Sequence, residues 1–313
     1  MSRQIVFVLT PGALLLDYAG PAEALRMAGE MGADLAIAAC SPSPVVEVST
    51  GLTLGGLAPL PAALADGALV IVVGNAKEVR DYARAEALRV VDWLASLPLG
   101  RVQVASICSG AILLARAGLL RHRACTTHHN LLGMLREADP TARVMDDRIF
   151  VDDGPVLTSA GITTGIDLAL YLLERDHGVE LAMGVARRMV VYARRGPADP
   201  QLSPWLAHRN HVHPAVHRVQ DAIGRDPARR WSMNELAELA HVSPRHLARL
   251  FKRHAGVNVP DYHQTLRLAR ARQLMADPRH TMEQVAEASG FGSARDLRRV
   301  RARHEAPQAG GTG

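Results

Sequence analysis

Aromatic residues are scarce in this chain. Phe, Trp and Tyr make up only 4% of its 313 residues, so any core must be built from Leu, Val, Ile and Ala, which the 48% hydrophobic content supplies. Long apolar runs are also missing. No window approaches the ~18 uninterrupted apolar residues of a membrane span, which excludes a spanning helix. The opening run Ile5-Val6-Phe7-Val8-Leu9 is too short for a secretory segment and is stopped by Pro11-Gly12, so it reads as a buried strand. Cysteine is sparse: Cys40, Cys108 and Cys125 show no metal or redox spacing. So small and odd a set suits a reducing compartment, and a cytoplasmic location is expected.

Charge is present but unevenly spread. Residues 1–200 hold 18 Lys/Arg against 21 Asp/Glu, a net of −3, while residues 201–313 hold 18 against 10, a net of +8. Ten of the 14 histidines also fall in the second part. A near-neutral half joined to a basic half suggests that the basic half meets a polyanion, although charge alone fits a solvated basic face equally well.

Up to about residue 190, short apolar runs alternate with helical patterns. The runs Gln4–Leu9, Asp34–Cys40, Ala68–Val73, Arg101–Ile107 and Val156–Thr158 read as strands. Gly20–Gly29, Asp81–Leu97, Ser109–Ala117, Thr164–Glu174 and Val179–Val191 read as helices. Strands apolar throughout and separated by helices imply a mostly parallel, doubly wound sheet covered on both faces, an α/β fold. Asp146-Asp147 and Asp152-Asp153-Gly154 read as turns around a short strand at Ile149–Val151. The texture changes at Arg194-Arg195-Gly196-Pro197-Ala198-Asp199-Pro200, which is rich in breakers. Beyond about His211 the pattern is helix after helix. The expected organisation is a first domain over 1–192, a linker over 193–210 and an all-α domain over 211–313.

Two similar segments lie about fifty residues apart in the helical part. In the first, Ser232 and Glu235 have the spacing of a capping box. The helix continues through Leu236, Ala237, Leu239 and Ala240, and a tight turn follows at His241-Val242. Ser243 then caps a second helix with Pro244 at its first position. Leu247, Leu250 and Phe251 face inward on that helix, Arg245, Ala248, Arg249 and Lys252 face outward, and Gly256 ends it. This is a helix-turn-helix layout, whose second helix enters the major groove. In the second segment Thr281 and Gln284 form the box, Gly290-Phe291-Gly292 the turn, and Ser293 the next cap. Leu297 faces inward, and Arg295, Arg298 and Arg299 outward. A long helix over Asp261–Ala276 joins the units. At 1.5 Å per residue it spans roughly 24 Å, which sets two recognition helices about one DNA turn, roughly 34 Å, apart. The partner expected is double-stranded DNA.

In the first domain, Val102–Ala111 reads as strand, sharp turn and helix, leaving Cys108 at a helix N-terminus, where amides and dipole favour the thiolate. Position alone fits a reactive thiol and a small buried apolar residue equally. Asp17 either handles a polar ligand or is an acid favoured at a helix N-terminus. His128 either serves the same site or is structural. His208, His211, His213 and His217 cluster near the junction, but no Cys or carboxylate partner is close and Pro214 interrupts their spacing, so no metal and no cofactor are expected.

These motifs carry a resemblance. Residues 211–303 resemble the AraC/XylS family of regulators, through Val242-Ser243-Pro244-Arg245-His246-Leu247-Ala248-Arg249-Leu250-Phe251 and Gly290-Phe291-Gly292-Ser293. The resemblance implies that Arg245 and Arg249 read bases from the first unit, and that Ala294, Arg295, Asp296, Arg298 and Arg299 form the reading face of the second. Arg301 stands where that family usually has an aromatic, and the chain runs on as Arg303-His304-Glu305-Ala306-Pro307, so weaker packing is expected of the second unit. Residues 4–192 resemble the ThiJ/PfpI superfamily, through Leu16-Asp17-Tyr18-Ala19-Gly20-Pro21, Cys108-Ser109-Gly110, Thr126-Thr127-His128 and Thr158-Ser159-Ala160-Gly161. That implies a flavodoxin-like sheet, a homodimer, and a pocket holding Asp17, Cys108, Ser109 and His128. Asp17, Cys108 and Ser109 are similar to the set of the superfamily's isonitrile hydratases. Ser109 replaces the histidine that follows the cysteine in its peptidases, and His129 stands where related regulators have tryptophan. The whole chain resembles the GlxA-type regulators. The expectation is a transcription regulator sensing a small-molecule effector; the alternative is a cysteine hydratase or amidase using Cys108, Asp17, Ser109 and His128.

Overall fold

The structure is a computed structural model that describes residues 2–77, 81–192, 194–197, 199–275 and 279–305. The chain divides into two compact units between Gln201 and Leu202.

The first unit is built on a six-stranded sheet. Its strands are β1 (Arg3–Val8), β2 (Leu35–Cys40), β5 (Leu69–Val72), β6 (Gln103–Ile107), β9 (Phe150–Asp153) and β10 (Val156–Ser159), in the order β2-β1-β5-β6-β10-β9. Neighbours are parallel except β9, which pairs antiparallel with β10 at the edge. All four residues of β5 and of β10 are buried, as the continuous apolar runs require of strands covered on both faces. Alternation along β1 feeds two cores. Ile5 and Phe7 join one with helices α1 (Leu15–Glu30), α5 (Thr164–His177) and α6 (Val179–Arg188). Val6 and Val8 join the other with α2 (Ala85–Ala95), α3 (Gly110–Arg116) and α4 (Leu132–Ala138). Each fully buried Val, Leu or Ile here contributes about 1.5–3 kcal/mol.

The sheet and its helices match the α/β pattern expected, with some differences of extent. Helix α1 starts at Leu15, five residues before Gly20, with Pro21 inside it. Gly20-Pro21 looks like a start, but Pro21 is the seventh residue of α1, and the helix runs through it without the one bond its N–H would have given the Asp17 carbonyl. The hairpin β3 (Val45–Glu47) with β4 (Thr53–Gly55), the pair β7 (Ala124–Cys125) with β8 (Arg143–Val144), and α4 carry no sequence signal. Strands of two or three residues are too short to show a period. The register aligns Val8, Val72, Ser106 and Thr158, so the carboxyl ends of four parallel strands open onto one edge. In open parallel sheets, ligands bind at that edge.

The second unit is helical. It contains α7 (Pro214–Arg225), α8 (Met233–Ala240), α9 (Pro244–Ala255), α10 (Val259–Met275), α11 (Met282–Ala288) and α12 (Ala294–Glu305). Pro214 does not break a pattern; it is the first residue of α7, the position that suits its fixed φ. Val216, Val219 and Ile223 of α7 complete the core of the first helix-turn-helix with Leu236, Leu247 and Phe251. A separate, smaller core holds the second: Leu268, Ala271, Val285, Ala286, Phe291 and Leu297. Arg301 lies exposed over Met275, its guanidinium 3.8 Å from the thioether sulfur. Ala306 and Pro307 lie outside the described residues.

Candidate functional site

Cys108 follows the last residue of β6 and directly precedes Ser109, the N-cap of α3. Its φ of 55° is a left-handed conformation that a residue with a side chain rarely adopts. The surroundings hold it there. The Cys108 amide donates to the Ser159 carbonyl at 3.0 Å, and the Thr127 hydroxyl donates to the Cys108 carbonyl at 2.8 Å. Two glycines make room. A Cβ on Gly161 would lie 2.1 Å from the Cys108 Cβ, and one on Gly74 would lie 2.7 Å from the Cys108 Cβ and 2.5 Å from Asp17 Oδ2. Strain kept by so many neighbours is typical of a functional turn.

Asp17 lies in the first turn of α1 and is fully buried. Its Oδ1 accepts from the Ile162 amide at 2.5 Å, and its carboxyl also bonds Cys108. Burial pushes this carboxyl up to about 6, against the opposing pull of the Ile162 N–H and the Cys108 hydrogen bond. The structure thus brings Asp17 and Cys108 together, 91 residues apart in sequence.

Ser109 is buried beneath them and turned elsewhere. Its Oγ accepts from the Asn75 amide at 2.7 Å and bonds the Tyr82 hydroxyl at 3.0 Å, tying the loop after β5 to the turn. His128 is half-buried on the loop after β7, next to Thr127; its Nδ1 accepts from the Asn130 amide at 3.4 Å and its ring stacks on His129, centroids 4.3 Å apart. Sequence reading missed Asn75, Tyr82 and Ile162. None lies in a motif, and each enters through a loop that only the sheet order brings to this edge. A cavity of about 230 Å³ beside Leu64, Trp93 and Val102 lies at the opposite edge, by the N-terminal ends of the strands.

The basic unit presents a different surface. Both capping boxes form. Ser232 Oγ accepts from the Glu235 amide at 3.2 Å, and Glu235 returns the bond to the Ser232 amide at 2.8 Å. The Ser232 hydroxyl, donating to Glu235 Oε2 at 2.6 Å, and then the Ser232 amide and Arg229 hold the Glu235 carboxyl down at about 2. Thr281 and Gln284 do the same at 3.3 and 2.9 Å. His241, at φ 55°, turns the chain after α8, and Ser243 Oγ accepts from the His246 amide to start α9.

On α9, Leu247 and Phe251 are buried while Arg245, Ala248, Arg249 and Lys252 are exposed. The Arg249 guanidinium donates to His246 Nδ1 at 3.0 Å, which requires the tautomer protonated on Nε2. Lys252 curls back to the Gly256 carbonyl at 3.0 Å and caps its own helix. On α12, Arg295, Arg298 and Arg299 are exposed, and Asp296 pairs with Arg299 at 2.6 Å. Ala294 is 3% exposed, so it belongs to the packing face and not to the reading face the resemblance gave it. Its amide instead donates to Glu283 at 3.0 Å, joining α11 to α12.

The junction histidines stack. His211 lies on His217 with ring centroids 4.4 Å apart and His213 on His254 at 4.5 Å, while His208 bonds the Ala255 carbonyl at 2.9 Å. Among the described residues, no three His, Cys, Asp or Glu side chains are grouped to hold a metal ion. No helix among them is long and apolar enough to cross a membrane.

Residues 3–175 match the DJ-1/PfpI family and residues 236–306 match a helix-turn-helix domain. The HTH-type transcriptional regulator CdhR of Pseudomonas aeruginosa is 32% identical over 299 residues, covering 94% of this chain and 86% of that protein. The HTH-type transcriptional regulator GlxA of Rhizobium meliloti is 30% identical over 294 residues, covering 93% and 89%. The crystal structure of a ThiJ/PfpI family protein from Pseudomonas syringae superposes with a TM-score of 0.55 at 19% identity, over 77% of this chain and 91% of that one, a likeness of fold.

Proposed function

The chain belongs to the DJ-1/PfpI family, among the GlxA- and CdhR-like regulators that add a helix-turn-helix domain, and we propose that it is a transcription regulator in which a small polar metabolite bound beside Cys108 sets the DNA affinity of the basic unit. DNA binding is the established part of this statement. The observation that supports it best is the repetition of one arrangement: a capping box, a turn, and a second helix with exposed arginines.

We assign base reading to Arg245 and Arg249 in the first unit and to Arg295, Arg298 and Arg299 in the second. His246 and Asp296 steady Arg249 and Arg299 from one turn back. Lys252, held at its helix end, is left for phosphate. Binding should weaken as salt rises, because phosphate contacts release counterions. Arg249→Ala should cost about 1–3 kcal/mol, or roughly 5- to 150-fold in affinity, if the guanidinium spans a guanine edge. An Arg245/Arg249 double alanine variant that binds its operator as wild type does would refute the assignment.

The effector site is built on Cys108 and Asp17, with Ser109 bracing the turn through Asn75 and Tyr82 and His128 next to Thr127 in the chain. A regulator needs a ligand that binds two states of the protein unequally, since only differential affinity shifts an equilibrium. Turnover would erase that signal. Steady turnover of an amide or isonitrile by the full chain, lost in Cys108→Ala, would make the enzyme reading primary.

The regulator acts as a homodimer through its first unit, so that paired half-sites match the protein's two-fold axis. Exposed Leu16, Val45 and Leu52 support this: they lie around the start of α1 and the β3–β4 hairpin, two segments tied by the Ser49 amide to the Ala13 carbonyl at 2.9 Å.

A further inference from the structure

The chain leaves the first unit through residues 194–201 and enters the second at Leu202. Its breaker-rich sequence reads as a loose tether. In the structure it is anchored at two places, one at Thr163 and the first turn of α5 just after Ile162, the other on the segments that carry Thr127 and Asp147.

The first anchor is Arg195. Its Nε donates to Asp167 Oδ2 at 3.0 Å, its amide to Asp167 Oδ1 at 3.2 Å, and its Nη2 to Thr163 Oγ1 at 2.8 Å. The Asp167 side chain is only 5% exposed and that of Arg195 34%. Thr163 directly follows Ile162, whose amide holds Asp17. The second anchor is Gln201. Its side-chain amide donates to the Thr127 carbonyl at 2.9 Å and its backbone amide to Asp147 Oδ1 at 3.0 Å. Thr127 is the residue whose hydroxyl holds the Cys108 carbonyl. Between the anchors, the Gly196 amide donates to Asp199 at 2.7 Å.

We propose that Arg195 and Gln201 are the positioning residues that couple the two units: they dock residues 194–197 and 199–201 on the segments that hold Asp17 and Cys108, and a ligand that moves those segments releases the stretch and changes DNA binding. This rests on the reading of the Cys108 site as a sensor. The two anchors respond to different sides of that site, one through the loop that holds Asp17 and one through the loop that holds the Cys108 carbonyl.

The docked state is held, but not deeply. Burial pushes the Asp167 carboxyl up, against the pull of the Arg195 guanidinium, so desolvation offsets much of the attraction in this pair. A ligand tips such a contact only by as much as its affinity differs between the docked and released states. Release of eight residues adds about 26 Å of extended reach. That lowers the effective concentration with which a second DNA-binding unit meets its half-site once the first is bound.

Amide hydrogen exchange on the full chain tests this directly. Arg195 and Gln201 donate backbone amides to the Asp167 and Asp147 carboxylates outside the stretch, so their protection reports docking. Asp167→Asn, which keeps the side chain's shape, should speed exchange at residues 194–197 at least tenfold and shift operator affinity at least threefold. Thr127→Val, which removes the hydroxyl that holds the Cys108 carbonyl and keeps the backbone carbonyl that receives Gln201, should speed exchange at Gln201. Methyl methanethiosulfonate on Cys108 supplies an occupant of known identity and should reproduce both effects in wild type and neither in Cys108→Ala. If the modified protein changes its operator affinity while exchange at 194–201 stays as in wild type, the coupling proposal is overturned and the sensor reading stands. If neither changes, both fall. Unchanged exchange in Asp167→Asn, with the protein folded as judged by circular dichroism, also overturns it.

Discussion

Replacing Asp17 with asparagine isolates the cost of keeping a carboxylate buried beside Cys108. The wild-type carboxyl titrates near 6 when folded against an ordinary value of 3.8. The folded protein therefore binds this proton more tightly than the unfolded chain does. Between about pH 4 and pH 6 folding takes up a proton, so stability falls as pH rises through that window. The penalty is absent below about pH 4 and complete above about pH 6. At 1.36 kcal/mol for each tenfold change in proton affinity, it reaches about 3 kcal/mol. Asparagine cannot ionise, and its amide oxygen can still accept from the Ile162 N–H. The shift to about 6 already includes the help that bond gives the charged carboxylate, so nothing further is subtracted. Asp17→Asn should thus match wild type near pH 4 and be more stable by about 3 kcal/mol at pH 7–8. The informative quantity is the pH dependence of that difference, about 3 kcal/mol from end to end. Urea unfolding of the full chain, followed by far-ultraviolet circular dichroism at half-unit steps from pH 4 to 8, measures it in the transition the variant moves. A flat difference across that range would refute the account of the Asp17 environment, and one of opposite slope would mean that hydrogen bonds to the carboxylate outweigh its desolvation.

Gly161→Ala places a methyl 2.1 Å from the Cys108 Cβ at a backbone φ of +82°, so about 2–4 kcal/mol of stability should be lost, whereas Gly133→Ala on α4 meets nothing within 4 Å and should be neutral or slightly stabilising. Thermal melts of the two variants side by side check this, and equal melting temperatures would contradict the close packing at the turn. Ser232→Ala removes one half of a capping box and should cost about 1 kcal/mol in the helical unit, read by urea unfolding, with operator affinity nearly unchanged at low denaturant.

How much of this was legible in the sequence differs between the units. The helix-turn-helix units are local objects. Ser232 with Glu235, Thr281 with Gln284, Pro244 after Ser243 and Gly256 at the end of α9 each specify a boundary within four residues, and the 3.6-residue period separates Leu247 and Phe251 from Arg245 and Arg249 without knowledge of anything distant. The parallel strands were equally plain, because burial on both faces leaves an unbroken apolar run. Cys108 could be placed at a strand-to-helix turn for the same reason. On α12 the exposure of Arg295, Arg298 and Arg299 was legible as well, while the burial of Ala294 was not, because a small residue reads the same whether it packs or faces solvent.

Partnership across the chain is what the tertiary structure decided. Asp17 meets Cys108 only because β1, β5 and β6 lie side by side in a sheet whose order differs from the order of the sequence. Asn75, Tyr82, Thr127 and Ile162 reach the turn through loops, which have no period and whose destinations are set by the strands they connect. The stretch 194–201 is the sharpest case. Its glycine and prolines correctly denied it helix and strand, yet whether it hangs free or docks depends on Asp167, Thr163, Thr127 and Asp147, all 28 or more residues away in sequence. Local sequence sets local conformation because caps, periods and proline act over a few bonds. Docking depends on which groups desolvation and topology leave facing one another, and that is a property of the folded chain alone.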